Sequence, residues 1–143
     1  MQESRKSKKF KNKKNKITTF TIPFDLGDTQ TKINTSNNQN VQINIKKIIA
    51  KAFSLHSQGK LLEAEKLIRK AITIHPDSVE SYINLGIILK DLGKPYDAEQ
   101  SIRKAIQLKP NLPLAHNNLG TVLNDLGKLN DAEESIRKAI QLN

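Results

Sequence analysis

The chain has no cysteine, no tryptophan and a single methionine. Lack of cysteine rules out disulfides, thiolate metal sites and cysteine nucleophiles, and it makes a reducing, cytoplasmic setting the expected one. Aromatic residues make up only 4% of the chain. Long apolar runs are missing too. No stretch approaches the roughly twenty consecutive apolar residues of a membrane span, and no apolar core of a secretory signal follows the basic N-terminus. The three histidines, His56, His75 and His116, stand at no metal-ligand spacing and beside no nucleophile-and-acid pattern. They read as surface or helix-packing side chains. A glycine-rich phosphate loop is absent as well, because every glycine from Gly59 onward is explained by a helix end or a close helix contact. The sequence therefore offers no catalytic residue, no metal site and no cofactor, and the chain is not expected to be an enzyme by itself.

At 143 residues with a net charge of +10, the chain is long enough for one domain with a modest core. The charge is unevenly spread. Residues 1–16 carry eight basic groups against Glu3, a net +7, residues 17–42 carry −1, and residues 43–143 carry +4. Lysine outnumbers arginine 20 to 4, alongside 14 asparagines and 17 isoleucines. These residues share A/T-rich codons, so the lysines follow gene composition as much as phosphate recognition. Nucleic acid is thus a disfavoured partner, and tail-mediated binding to nucleic acid or an anionic surface stands as a second alternative function. It predicts steep salt dependence.

What is present is a repeat. A shift of 34 residues lays 77–109 onto 111–143 with 19 identities in 33 places, including SIRKAIQL twice. The segment from Ile43 to Pro76 joins in the same register, giving units 43–76, 77–110 and 111–143. Gly59, Gly93 and Gly127 align, each followed by lysine, as do Ala64, Ala98 and Ala132, Ile68, Ile102 and Ile136, and Ala71, Ala105 and Ala139.

Apolar residues within each unit recur every three or four places, the spacing of a helix with one buried face. This predicts two helices per unit, at about 44–57 and 61–74, 79–92 and 95–108, and 113–126 and 129–142. The intervening glycine suits a left-handed helix end, with its lysine facing the negative helix terminus. Pro95 and Pro113 suit a first helical turn, and Asp77 with Glu80 has capping-box spacing. Gly86, Gly120 and the aligned alanines are small where neighbouring backbones must approach. Glu65 with Arg69, Glu99 with Arg103, and Glu133 with Arg137 form pairs four apart on the second helices.

The segment SYINLGIILKDLGKPYDAEQSIRKAIQLKP places an aromatic, a Leu-Gly pair, a leucine, two alanines, an isoleucine and a proline in the order of the tetratricopeptide repeat. The chain from 43 to 143 resembles that family, and in particular the bacterial superhelical arrays attached to glycosyltransferases or sulfotransferases. His116 stands where the aromatic is usual in the third unit, and Ile48 and Lys51 depart from the pattern in the first. The resemblance implies an all-α solenoid segment of three helix-turn-helix hairpins. Ahead of it, residues 1–16 read as a disordered basic tail and 17–42 as a polar linker with a short strand in ITTFTIPFDLG. Ile17, Phe20, Ile22 and Phe24 are candidates to cover the open end of the first hairpin.

The resemblance also implies that the first helices line a concave groove. Candidate peptide-binding residues there are Phe53, Glu80, Ile83, Asn84, Ile87, Asp91, Asn117, Asn118, Thr121 and Asp125, with Lys46, Ile49, His56, Lys90, Leu114 and Asn124 on the same face. Asn84 and Asn118 match the asparagine ladder of superhelical members, which implies carboxamide bonding to the backbone of an extended peptide. The first unit has Ala50 at that place. The implied function is a protein-protein interaction module or scaffold. The alternative is an N-terminal segment of a truncated multidomain transferase. Terminal repeats normally carry a polar outer face, yet SIRKAIQL at 135–142 is unchanged from the internal copy, so end-to-end self-association through the last repeat is a further expectation.

Overall fold

A computed structural model of the protein describes residues 35–143, with side chains from 44 onward. Six helices follow one another: α1 (Thr35–Ser57), α2 (Leu61–Ile74), α3 (Val79–Asp91), α4 (Pro95–Leu108), α5 (Pro113–Asp125) and α6 (Leu129–Gln141). There is no strand among the described residues. The basic tail at 1–16, the strand in ITTFTIPFDLG and its role as a cover lie outside the described residues.

Local chemistry sets the helix ends. Gly93 has φ +75°, a left-handed conformation that a side chain disfavours, and it closes the α3–α4 turn as Gly59 and Gly127 close theirs. Pro95 and Pro113 stand in the first turns of α4 and α5, where a missing N–H costs nothing. The capping box expected at Asp77 is displaced by one residue. Ser78 is the N-cap of α3, and its Oγ accepts from the Ser81 N–H at 3.2 Å while bonding the Ser81 hydroxyl at 2.8 Å.

The longest departure from the sequence reading is α1, which begins at Thr35 rather than near 44 and takes in the last part of the segment read as linker. Its Asn, Gln and Thr residues are modest helix formers, but the packed turns at Ile45 and Ile49 supply the costly nucleus. Each residue added backward then gains one backbone bond.

Each helix packs on its neighbours in chain order, and α3 also touches α5. One continuous core runs through the stack: Ile45, Ile49 and Ala52 from α1, Ala64 and Ile68 from α2, Leu85, Ile88 and Leu89 from α3, Ala98 and Ile102 from α4, Leu119, Val122 and Leu123 from α5, and Ala132 from α6. A fully buried isoleucine is worth about 2 kcal/mol. No single hairpin can bury its apolar residues alone, so the units are stable only when stacked. At Gly120 an added Cβ would lie 2.6 Å from Ile136 Cγ1 and 3.1 Å from the Ala132 carbonyl, so this helix pair approaches too closely for any side chain.

Candidate functional site

The face shared by α1, α3 and α5 gathers the residues that the repeat register places in a groove. Its two ends differ. On α5, Asn117, Thr121, Asn124 and Asp125 are exposed and Leu114 is half-buried. On α3 the positions equivalent to Asn117, Thr121 and Asn124, which are Ile83, Ile87 and Lys90, are buried, as are Asn84 and, on α5, Asn118. The expectation that Ile83, Asn84 and Ile87 present open groove surface is therefore corrected. Ile83 and Ile87 form a second apolar cluster with Ala105 and Ala115, which Val79, Tyr82, Ile106 and Leu112 flank. Apolar side chains between converging helices bury each other before any ligand arrives. Asn84 and Asn118 are both partnered rather than free.

On α1, Lys46 is exposed while Phe53 and His56 are half-buried, and Ile49 belongs to the core. His56 Nε2 lies 2.8 Å from Asp91 Oδ2, tying the end of α1 to the end of α3. Lys90 Nζ approaches the other carboxylate oxygen at 3.3 Å. Burial pushes the Asp91 carboxyl up, but the His56 hydrogen bond and the Lys90 charge outweigh it and leave the pKa below the ordinary value. Asp91 is thus ionised at neutral pH and only accepts, so His56 Nε2 carries the donated hydrogen. Glu80 is the opposite case. Burial raises its pKa, Lys46 offsets this only in part, and its Oε1 is buried without a hydrogen-bond partner.

The helix-surface pairs turn out to belong to a larger pattern. Glu65 accepts from Arg69 at 2.9 Å and from Lys94 of the next repeat at 3.3 Å. Glu99 accepts from Arg103 at 2.9 Å and from Lys128 at 2.8 Å. The lysines after the second and third repeat glycines, Lys94 and Lys128, therefore reach back to the preceding unit. Lysine bonding and burial act oppositely on Glu99, and the bonding wins, lowering its pKa. At Glu65 burial is the largest influence, and the Arg69 and Lys94 contacts together overcome it. His116 Nε2 lies 2.7 Å from the Pro110 carbonyl, which ties the start of α5 to the loop before it.

Tetratricopeptide-repeat family models match residues 79–112 and 114–143. The matches fall on the second and third units of the 34-residue repeat and take in α3 to α6. The chain is a tetratricopeptide-repeat protein. Its first repeat, with Ile48 and Lys51 at signature positions, lies outside both matches, yet α1 and α2 pack as the later hairpins do.

Solved tetratricopeptide-repeat structures share the fold. The crystal structure of MamA is similar with a TM-score of 0.61 at 20% identity, over 64% of this chain and 53% of that one. The second repeat domain of Spaghetti (RPAP3), bound to the HSP90 peptide SRMEEVD, gives 0.65 at 22%, over 73% and 99%. The O-GlcNAc transferase of Thermobaculum terrenum gives 0.69 at 26%, over 77% and 21%. The chain thus spans about half the length of the MamA chain and a fifth of the transferase chain. No curated protein sequence matches the chain. Among the described residues, no helix of the array is long and apolar enough to cross a membrane.

Proposed function

We propose that this chain is a protein-interaction module that receives an extended peptide or a partner helix across the α1–α3–α5 face. Glu80 carries this reading: a carboxylate with one oxygen buried and unbonded is a site for a donor from a ligand. A backbone N–H or a basic side chain of a bound segment supplies that donor. Asn117, Thr121 and Asn124, exposed at three- and four-residue spacing along α5, offer carboxamide and hydroxyl groups to the same segment. Phe53 adds an aromatic surface from α1. Asn84 and Asn118, at the register of the asparagine ladder, are buried and already partnered, so they add no open surface for that segment. The peptide complex of the similar RPAP3 domain supports this use of the fold.

The test is selection of ligands from a displayed peptide library on the full chain, followed by affinity measurement with the winning peptide. Glu80→Ala and Asn117→Ala together are expected to weaken it about tenfold or more, in line with the loss of two hydrogen bonds. Unchanged affinity would place binding elsewhere on the molecule.

A second reading is that the array serves a transferase domain in the same polypeptide. The similarity to an O-GlcNAc transferase at 26% identity supports it. Reading the gene beyond Asn143 decides that point, and absence of any continuing frame removes it.

A further inference from the structure

The repeat-to-repeat ion pairs have a direction. Each is made by a glutamate of one unit and the lysine that opens the second helix of the next: Glu65 with Lys94, then Glu99 with Lys128. The series leaves one member of each kind over. Glu133, in the same register, keeps only its helix neighbour Arg137, and its side chain is 69% exposed against 12% and 11% for Glu65 and Glu99. Lys60, in the register of Lys94 and Lys128, is exposed and makes no ion pair among the described residues.

The apolar surface around these two residues follows the same rule. Ile102 is fully buried and Ile106 half-buried in the middle of the stack, whereas their repeat equivalents Ile136 and Ile140 are 41% and 69% exposed. An open depression between α4, α5 and α6 is lined by Ile106, Leu119 and Leu123 together with Asn130, Glu134 and Lys138. At the opposite end, Lys47 and Lys51 of α1 are exposed. Their equivalents are buried on both later first helices, as Ser81 and Leu85 on α3 and as Ala115 and Leu119 on α5. What α3 and α5 have, and α1 lacks among the described residues, is a preceding repeat. Those two lysines therefore mark the surface that a preceding repeat covers. That surface is basic, through Lys47, Lys51 and Lys60. The surface at the end of the stack is mixed in charge, with Asp131, Glu133 and Glu134 beside Arg103, Arg137 and Lys138, and Glu133 is its member in the register of Glu65 and Glu99.

We propose that the occupant of the α6 end is a second copy of this chain, docked head to tail so that its α1 covers Ile136 and Ile140 and its Lys60 pairs with Glu133. The contact continues the register already used twice inside the chain. Only this arrangement brings Lys60 to Glu133 in the register of the Glu65–Lys94 and Glu99–Lys128 pairs, whereas tail-to-tail pairing leaves Lys60 outside the contact. Because the contact is heterologous, it leaves one free head and one free tail and adds further copies in the same sense.

Sedimentation equilibrium on the full chain tests this. Association is expected to rise with protein concentration beyond a dimer and to weaken with added salt. Glu133→Lys and Lys60→Glu, both at exposed positions, are each expected to weaken it at least about tenfold by placing like charges together. The chain carrying both substitutions regains association, because the pair is reversed rather than lost. A monomer at every concentration overturns the proposal. So does association that ignores the single substitutions, which would assign the contact to another surface, and so does failure of the double variant to recover. The test does not involve the α1–α3–α5 face, so its result is independent of peptide binding there.

Discussion

At the residue scale, two pairs of positions separate effects that look alike in sequence. Gly86 and Gly93 are both single glycines that follow a leucine. Gly93 has φ +75° with open space around it, whereas a Cβ on Gly86 would overlap Ile102 and lie 3.3 Å from the Ala98 carbonyl. Gly86→Ala is therefore expected to cost about 1–3 kcal/mol through overpacking, and Gly93→Ala about 1 kcal/mol through backbone strain. Urea denaturation of the two variants measures both.

The carboxylates Glu80 and Asp91 form the second pair, shifted in opposite directions. Glu80 has a folded pKa above its ordinary value, so its contribution is favourable below that ordinary value and is lost as pH rises through the raised one. Asp91 has a folded pKa below its ordinary value, so its contribution is present above the ordinary value and is lost as pH falls through the lowered one. Glu80→Gln should then stabilise the chain at neutral pH by a few tenths to about 1 kcal/mol, with the gain vanishing in acid. Asp91→Asn should destabilise it at neutral pH by about 0.5–1.5 kcal/mol, with the loss vanishing in acid. Thermal melts from neutral pH to below the ordinary carboxylate range follow both signs.

At the element scale, burial is graded along the stack. Nine residues of α3 are buried, from Ser81 to Lys90, but only Ala132 and Ala139 of α6. A repeat array draws its stability from interfaces with neighbouring units, and α6 has such an interface on one side only. Hydrogen exchange is expected to be fastest in α6 and slowest in α3. Equal protection of the two helices would mean that the stack opens only as a whole. The same grading explains which elements were legible beforehand. The bounds of α2 and α4 are those predicted from the apolar spacing, the glycine and the proline, because all of those signals are local. The bounds of α1 were not, because nothing in its polar first turns announces a helix. It is continued from a nucleus held in place by packing.

At the scale of the whole molecule, the two proposals rest on the face of the first helices and on the two ends of the stack. Peptide selection with Glu80 and Asn117 as the readout tests the first, and the charge reversal at Glu133 and Lys60 tests the second. The groove was only partly legible. Repeat register placed Asn117, Thr121, Asn124 and Asp125 on an open face, where they are found, because which way a helical residue points follows from its position in the turn. Register alone did not distinguish Ile83 and Ile87 from Asn117 and Thr121. Their burial depends on how closely α3 and α5 converge.

The amino-acid sequence by itself determined the repeat, its period, the number of hairpins and the turns between them. Each of these rests on interactions within about four residues of the chain or on near-identity between units. Only the tertiary structure decided where Lys94 and Lys128 reach, that His56 meets Asp91 across two helices, and that Glu133 and Lys60 have no mate of this kind among the described residues. Those pairings join residues about thirty or more places apart, and a side chain's choice among several carboxylates is fixed by the distance between stacked helices, which no local pattern encodes.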